Sequence, residues 1–81
     1  MIDYIVIPEE RMKILRRNKN FIEQLEKFTD SQIELNEEIC IDCEDSIKAL
    51  RIKEVLKAFG RGFDFNTALN LLDEDYYFEI I

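Results

Sequence analysis

Apolar residues in this chain change their spacing from strand-like to helical and back over short distances, which confines the fold to a few small elements around one core. Tyr4-Ile5-Val6-Ile7 is β-branched and aromatic and is stopped by Pro8, whose missing N–H ends a ladder and whose fixed φ can open a helix. This predicts a first strand over 4–7. Glu9 and Glu10 then sit where a helix N-terminus favours negative charge, and Met12 and Leu15 fall on one face, giving a short helix near 9–15. Arg16-Arg17-Asn18-Lys19-Asn20 holds no apolar residue and reads as an exposed connection. Asn20, with Glu23 three residues on, is placed to cap a second helix whose face is lined by Phe21, Leu25 and Phe28 with Ile22 beside them, ending near Thr29-Asp30.

Two alternating runs follow, Gln32 to Asn36 and Ile39 to Glu44, joined by a short acidic connection that suits an antiparallel hairpin. Asp45-Ser46 is a cap signal for a long helix carrying the stripe Ile52, Val55, Leu56 and Phe59. Gly60 and Gly62 close it, and positive φ at a helix C-terminus accounts for both. A short closing helix is expected next, capped by Asp64 or Asn66, and then an acidic-aromatic tail, Asp73 to Ile81. The expected fold is α+β, in the order β-α-α-β-β-α, with residues 1–62 as the domain and 63–81 as its closing segment. The apolar ending Ile80-Ile81 raises the expectation that the tail packs back on the domain or leads into a further one.

With 81 residues, 47% of them apolar, the chain can close one core and not two. No apolar run approaches the ~20 residues of a membrane span, and the first residues lack the layout of a secretory signal, so a cytoplasmic protein without a membrane partner is expected. Cys40 and Cys43 have C-x-x-C spacing, but on a strand residues three apart point to opposite faces, and with no His in the chain four ligands cannot be completed. Neither metal nor cofactor is expected. Ser31, Ser46, Thr29 and Thr67 have no evident base, which leaves no warrant for an enzyme.

The order of elements matches the eukaryotic-type (type I) KH domain, a module that holds single-stranded nucleic acid. A narrower resemblance lies in Tyr4-Ile5-Val6-Ile7-Pro8-Glu9-Glu10-Arg11 and in Lys57-Ala58-Phe59-Gly60-Arg61-Gly62-Phe63, followed by Ala68-Leu69, Leu71-Leu72, Asp75-Tyr76-Tyr77 and Glu79-Ile80-Ile81. In these the chain resembles the KH ribosome-assembly and pre-rRNA-processing family that includes archaeal Dim-two and Krr-like proteins and the eukaryotic Partner of Nob. The resemblance implies the first of two KH domains in a small-subunit assembly factor that binds ribosomal RNA near its 3′ end, rather than DNA. It also implies a protein partner, the α subunit of archaeal translation initiation factor two.

The chain departs from that family where archaeal members carry G-x-x-G between the first two helices. Arg16-Arg17-Asn18-Lys19 stands there instead, without glycine. What it supplies is charge: Arg11, Lys13, Arg16, Arg17 and Lys19 put five cations in nine residues with no acid among them. The candidate RNA contacts are therefore Arg11, Lys13, Arg16, Arg17, Asn18, Lys19 and Asn20, with Ile33 as an apolar floor. The formal charge of −7 divides unevenly, since residues 1–62 hold 11 cations and 13 acids whereas residues 63–81 hold five acids and no cation. Lys53, Lys57 and Arg61 recur every fourth residue as a solvated helix face. The lost glycines and the acidic tail leave a second reading open, a degenerate KH domain that docks proteins without binding RNA.

Overall fold

The structure, a computed structural model, describes residues 2–70. Seven elements follow in order: β1 (Ile2–Ile5), α1 (Glu9–Arg17), α2 (Lys19–Thr29), β2 (Gln32–Leu35), β3 (Ile39–Asp42), α3 (Ser46–Gly60) and α4 (Phe65–Leu69). The strands form one antiparallel sheet in the order β1-β3-β2. Its register aligns Ile5, Ile39 and Leu35 in one row and Asp3, Ile41 and Ile33 in another, both on the face turned to the helices. Tyr4, Cys40 and Glu34 take the opposite face, as the period of two requires. Ile5, Ile39, Ile41 and Ile33 are buried with Met12, Leu15, Phe21, Leu25, Ile52, Val55, Leu56 and Phe59 in one core. The α+β architecture expected from the sequence is the one observed. Among the described residues, no helix is long and apolar enough to cross a membrane.

Several boundaries move, each for a physical reason. The first strand runs over 2–5 rather than 4–7, because Ile5 pairs with Ile39 at the start of β3 and the chain before Ile39 is already turning. Among the described residues, Val6 and Ile7 have no strand to pair with; Val6 is 70% exposed, while Ile7 turns inward and remains buried. Pro8 then opens α1, its carbonyl accepting from the N–H groups of Arg11 and Met12.

The expected five-residue basic connection contracts to Asn18 alone, because Arg16 and Arg17 continue α1 and Lys19 and Asn20 begin α2. Arginine is a good helix former, and cations in a last turn lie beside the free carbonyls of the helix end. Asn18 Nδ2 donates to the Ile14 carbonyl at 2.7 Å, so the junction caps α1 from behind. Asn20 is not the α2 cap; it lies within the first turn.

On α2 the buried face is Phe21, Ile22, Leu25 and Thr29, and Phe28 is turned out at 73% exposure. The buried Thr29 hydroxyl donates to the Leu25 carbonyl, which satisfies a polar atom that the expected Phe28 stripe left out of account. Asp30, at φ 51°, ends the helix in the left-handed region. Cys43 is buried and Cys40 half-buried, in keeping with opposite directions along the strand.

Asp45 caps α3, its Oδ1 accepting from Ile47 N at 2.9 Å and Lys48 N at 3.2 Å. Of the two glycines only Gly62 needs positive φ, at 113°. Gly60 is the last residue of α3, where a Cβ would stand 2.7 Å from Ile7 Cγ2. Its role is close approach to the segment leaving β1. Asp64 caps α4, accepting from Thr67 N at 2.7 Å. These hydrogen bonds, the Thr67 backbone foremost, hold the Asp64 carboxyl below the ordinary aspartate range. Phe65 of α4 stacks on Phe59, with centroids 4.6 Å apart and planes at 9°, and meets Phe21 at 4.4 Å. This closing helix ends at Leu69, and the tail readings over 71–81 lie outside the described residues.

Candidate nucleic-acid interface

The basic run of α1 and the α1–α2 junction divides into committed and uncommitted side chains. Arg11 belongs to the fold: its Nε donates to the Phe59 carbonyl and an Nη to the Phe63 carbonyl, both at 2.9 Å, and its guanidinium lies 4.1 Å above the Phe59 ring. This fork reaches the Phe59 carbonyl in the last turn of α3 and the Phe63 carbonyl just beyond it, which joins α1 to the C-terminus of α3. The charge that made Arg11 a candidate contact is used inside the protein. Ile33 is likewise internal, at 7% exposure on the core face of the sheet, because the register sets it beside Ile41. Ile14 is the more open apolar residue of this region, at 38%.

Lys13, Arg17, Lys19 and Asn20 are exposed, and Asn18 is half-buried at the junction. Helix geometry carries Arg17 and Lys19 to either side of Asn18, one in the last turn of α1 and the other in the first turn of α2. Among the described residues none of the three cations has a hydrogen bond or ion pair, so their charges face solvent where a polyanion can reach them.

Arg16 bridges two elements. One Nη donates to Glu9 Oε1 at 2.9 Å and the other to the Asn36 carbonyl at 3.0 Å, so that it links α1 to the turn between β2 and β3. Neither partner stands out in the sequence. The i, i+7 spacing of Glu9 and Arg16 on one helix face is the available signal, whereas the contact with Asn36 crosses 20 positions and leaves no local trace.

The opposite end of the sheet has the opposite charge. A depression of about 560 Å³ is lined by Thr29, Asp30, Ser31, Gln32, Asp42, Glu44, Asp45 and Lys48. Four carboxylates around one lysine disfavour a polyphosphate there. Among the described residues, no group of three or more His, Cys, Asp or Glu side chains is placed to hold a metal ion.

An antiparallel sheet in the order β1-β3-β2, covered on one face by helices that enter in the order β-α-α-β-β-α, with a basic turn between the first two helices, defines a KH domain. The particular likeness is to Dim2p. The crystal structure of Dim2p from Pyrococcus horikoshii OT3 superposes with a TM-score of 0.82 at 28% sequence identity, over 91% of this chain and 49% of that one. The complex of a/eIF2alpha, aDim2p and rRNA from the same organism gives a TM-score of 0.81, also at 28% identity, over 91% of this chain and 46% of the matched chain. The chain thus spans about half the length of these relatives. The likeness supports a place among Dim2-like proteins. No protein-family model matches the sequence, and no curated protein matches it.

Proposed function

We propose that this chain is an RNA-binding KH domain of a small-subunit ribosome assembly factor. It holds single-stranded ribosomal RNA against the α1–α2 junction through Lys13, Arg17, Lys19 and Asn20, with Arg16 and Asn18 beside them. The observation that carries this reading is the pair Arg17 and Lys19, uncommitted on both sides of Asn18 in a fold that superposes on a chain solved in complex with rRNA. Without the bare backbone of two glycines, the contact rests on charge. Affinity therefore comes from phosphate neutralisation with little base readout, and it falls steeply with salt. The same complex supports the α subunit of initiation factor two as a protein partner.

The test is fluorescence anisotropy with a single-stranded RNA of small-subunit 3′-end sequence. Arg17→Glu with Lys19→Glu should weaken binding at least about tenfold and flatten the dependence of log K on log salt by about 0.7 for each phosphate that is no longer neutralised. Both positions are exposed, so circular dichroism should show an unchanged fold. Binding by the double variant equal to that of the parent refutes the junction as the RNA-binding surface. The missing glycines favour the second reading, a protein-docking KH domain, which predicts no amide shifts for the parent when RNA is added at low salt.

A further inference from the structure

Among the described residues, Arg16 is the one cation of the junction that is already held by an anion. Glu9 lies two turns back on the same face of α1 with its Oε1 at 2.9 Å, and the second Nη is occupied by the Asn36 carbonyl at 3.0 Å. Each Nη already donates one of its N–H groups, so a phosphate that would take both Nη atoms in a two-pronged contact competes with Glu9 and Asn36 for the geometry of the fork. Its two partners are also weak enough to leave. The Glu9 side chain is 63% exposed and that of Arg16 38%, which places the pair in the solvent-screened class. The Asn36 carbonyl is a neutral acceptor in an exposed turn.

We infer that Glu9 and Asn36 form a latch on Arg16, and that the phosphodiester backbone of a bound RNA displaces Glu9 from it. This rests on the RNA reading above and adds its regulation: the domain carries an internal carboxylate that competes with the ligand for one of its own cations. In the free protein Arg16 ties α1 to the β2–β3 turn. In the bound protein the guanidinium turns to a phosphate group, whose oxygens accept the same two-pronged donation that Glu9 and Asn36 take separately. Glu9 sets the threshold that a phosphate must exceed to engage Arg16.

The experiment compares Glu9→Gln with Glu10→Gln in the full chain, titrated with a short single-stranded oligouridine RNA. Glu10 is exposed on the same first turn and has no bond to Arg16, so its replacement controls for the bare removal of one negative charge. Glu9→Gln should tighten binding by about threefold, within what a surface ion pair can withhold, and leave the salt slope nearly unchanged, because Arg16 meets the same phosphate in the bound parent and in the bound variant. Glu10→Gln should change affinity much less. In an Arg16→Gln background the advantage of Glu9→Gln over Glu10→Gln should vanish, since the anion then has no cation to release. Equal effects of the two glutamate variants, or an advantage that survives Arg16→Gln, overturn the latch while the junction stands on its Arg17 and Lys19 variant. Absence of RNA binding by the parent and by every variant at low salt removes the junction reading and the latch with it.

Discussion

Gly60→Ala should destabilise the protein although it replaces a helical glycine with the best helix former. In an open helix the exchange gains about 1 kcal/mol, chiefly by reducing the backbone entropy of the unfolded chain. Here the added Cβ would stand 2.7 Å from Ile7 Cγ2 and 2.9 Å from Ile7 Cβ, with Pro8 Cδ at 3.7 Å. Carbon atoms prefer about 3.5–4.0 Å, so roughly an ångström must be recovered. Ile7 is 7% exposed and β-branched, with its χ1 restricted, and the neighbouring proline fixes the backbone behind it. Overpacking of a site that cannot yield costs about 1–3 kcal/mol, which outweighs the helical gain over most of that range. A net destabilisation of about 1 kcal/mol corresponds to a fall in Tm of about 4–8 °C for a chain of this size. Urea unfolding followed by circular dichroism measures it, and the cycle with Ile7→Ala isolates the cause: in the Ile7→Ala background the cost of Gly60→Ala should shrink by at least about 0.5 kcal/mol. A Gly60→Ala protein more stable than the parent, or a cost indifferent to Ile7, refutes the close approach as the reason for this glycine.

Gly62→Ala should also destabilise, by about 1 kcal/mol or more, but from its φ of 113° rather than from crowding, since nothing lies within 4 Å of its added Cβ. Its cost in urea should accordingly be the same with Ile7→Ala as without it. Arg11→Lys should destabilise by about 2 kcal/mol in the same measurement, because an ammonium cannot reproduce the fork to Phe59 and Phe63 together with the stacking on the Phe59 ring. The Asp64 carboxyl is held low in the folded protein, so its contribution to the α4 cap is present above the ordinary aspartate pKa and is lost as pH falls through the lowered value. Thr67 amide exchange, corrected for its intrinsic pH dependence, should therefore accelerate on acidification below about pH 4, and Asp64→Ala should remove that acid step.

What could be read from the sequence follows the range of the forces involved. The hairpin and α3 were legible because alternation, an Asp cap and an i, i+3, i+4, i+7 stripe are written over neighbouring residues. The α1–α2 junction was not, because a run without apolar residues describes the solvated end of a helix as well as it describes a loop. That ambiguity alone puts Arg16 and Arg17 in an expected loop. On α2, both Phe28 and Thr29 lie on an extension of the stripe through Leu25, and only the contact of the Thr29 hydroxyl with the Leu25 carbonyl shows how the smaller, polar residue is accommodated inside. Arg11 and Arg17 look alike in a basic run, yet the partners of Arg11 lie 48 and 52 positions away. A charge run shows how many cations a surface can have and conceals which of them the fold has already taken.

The contraction of the α1–α2 connection to Asn18 has a thermodynamic consequence. A flexible loop would have to be ordered on binding, at roughly 1–2 kcal/mol of backbone entropy for each residue fixed. Arg17 and Lys19 stand on backbone that is already helical, separated by one residue whose side-chain amide is hydrogen-bonded to the turn behind it. Little is left to freeze beyond the long side chains themselves. Under the proposed RNA binding, the same economy limits accommodation by the loop, so the ligand must bring its phosphates to the cations. Strands that can flex their backbone should be taken up faster and held longer than stacked or paired ones.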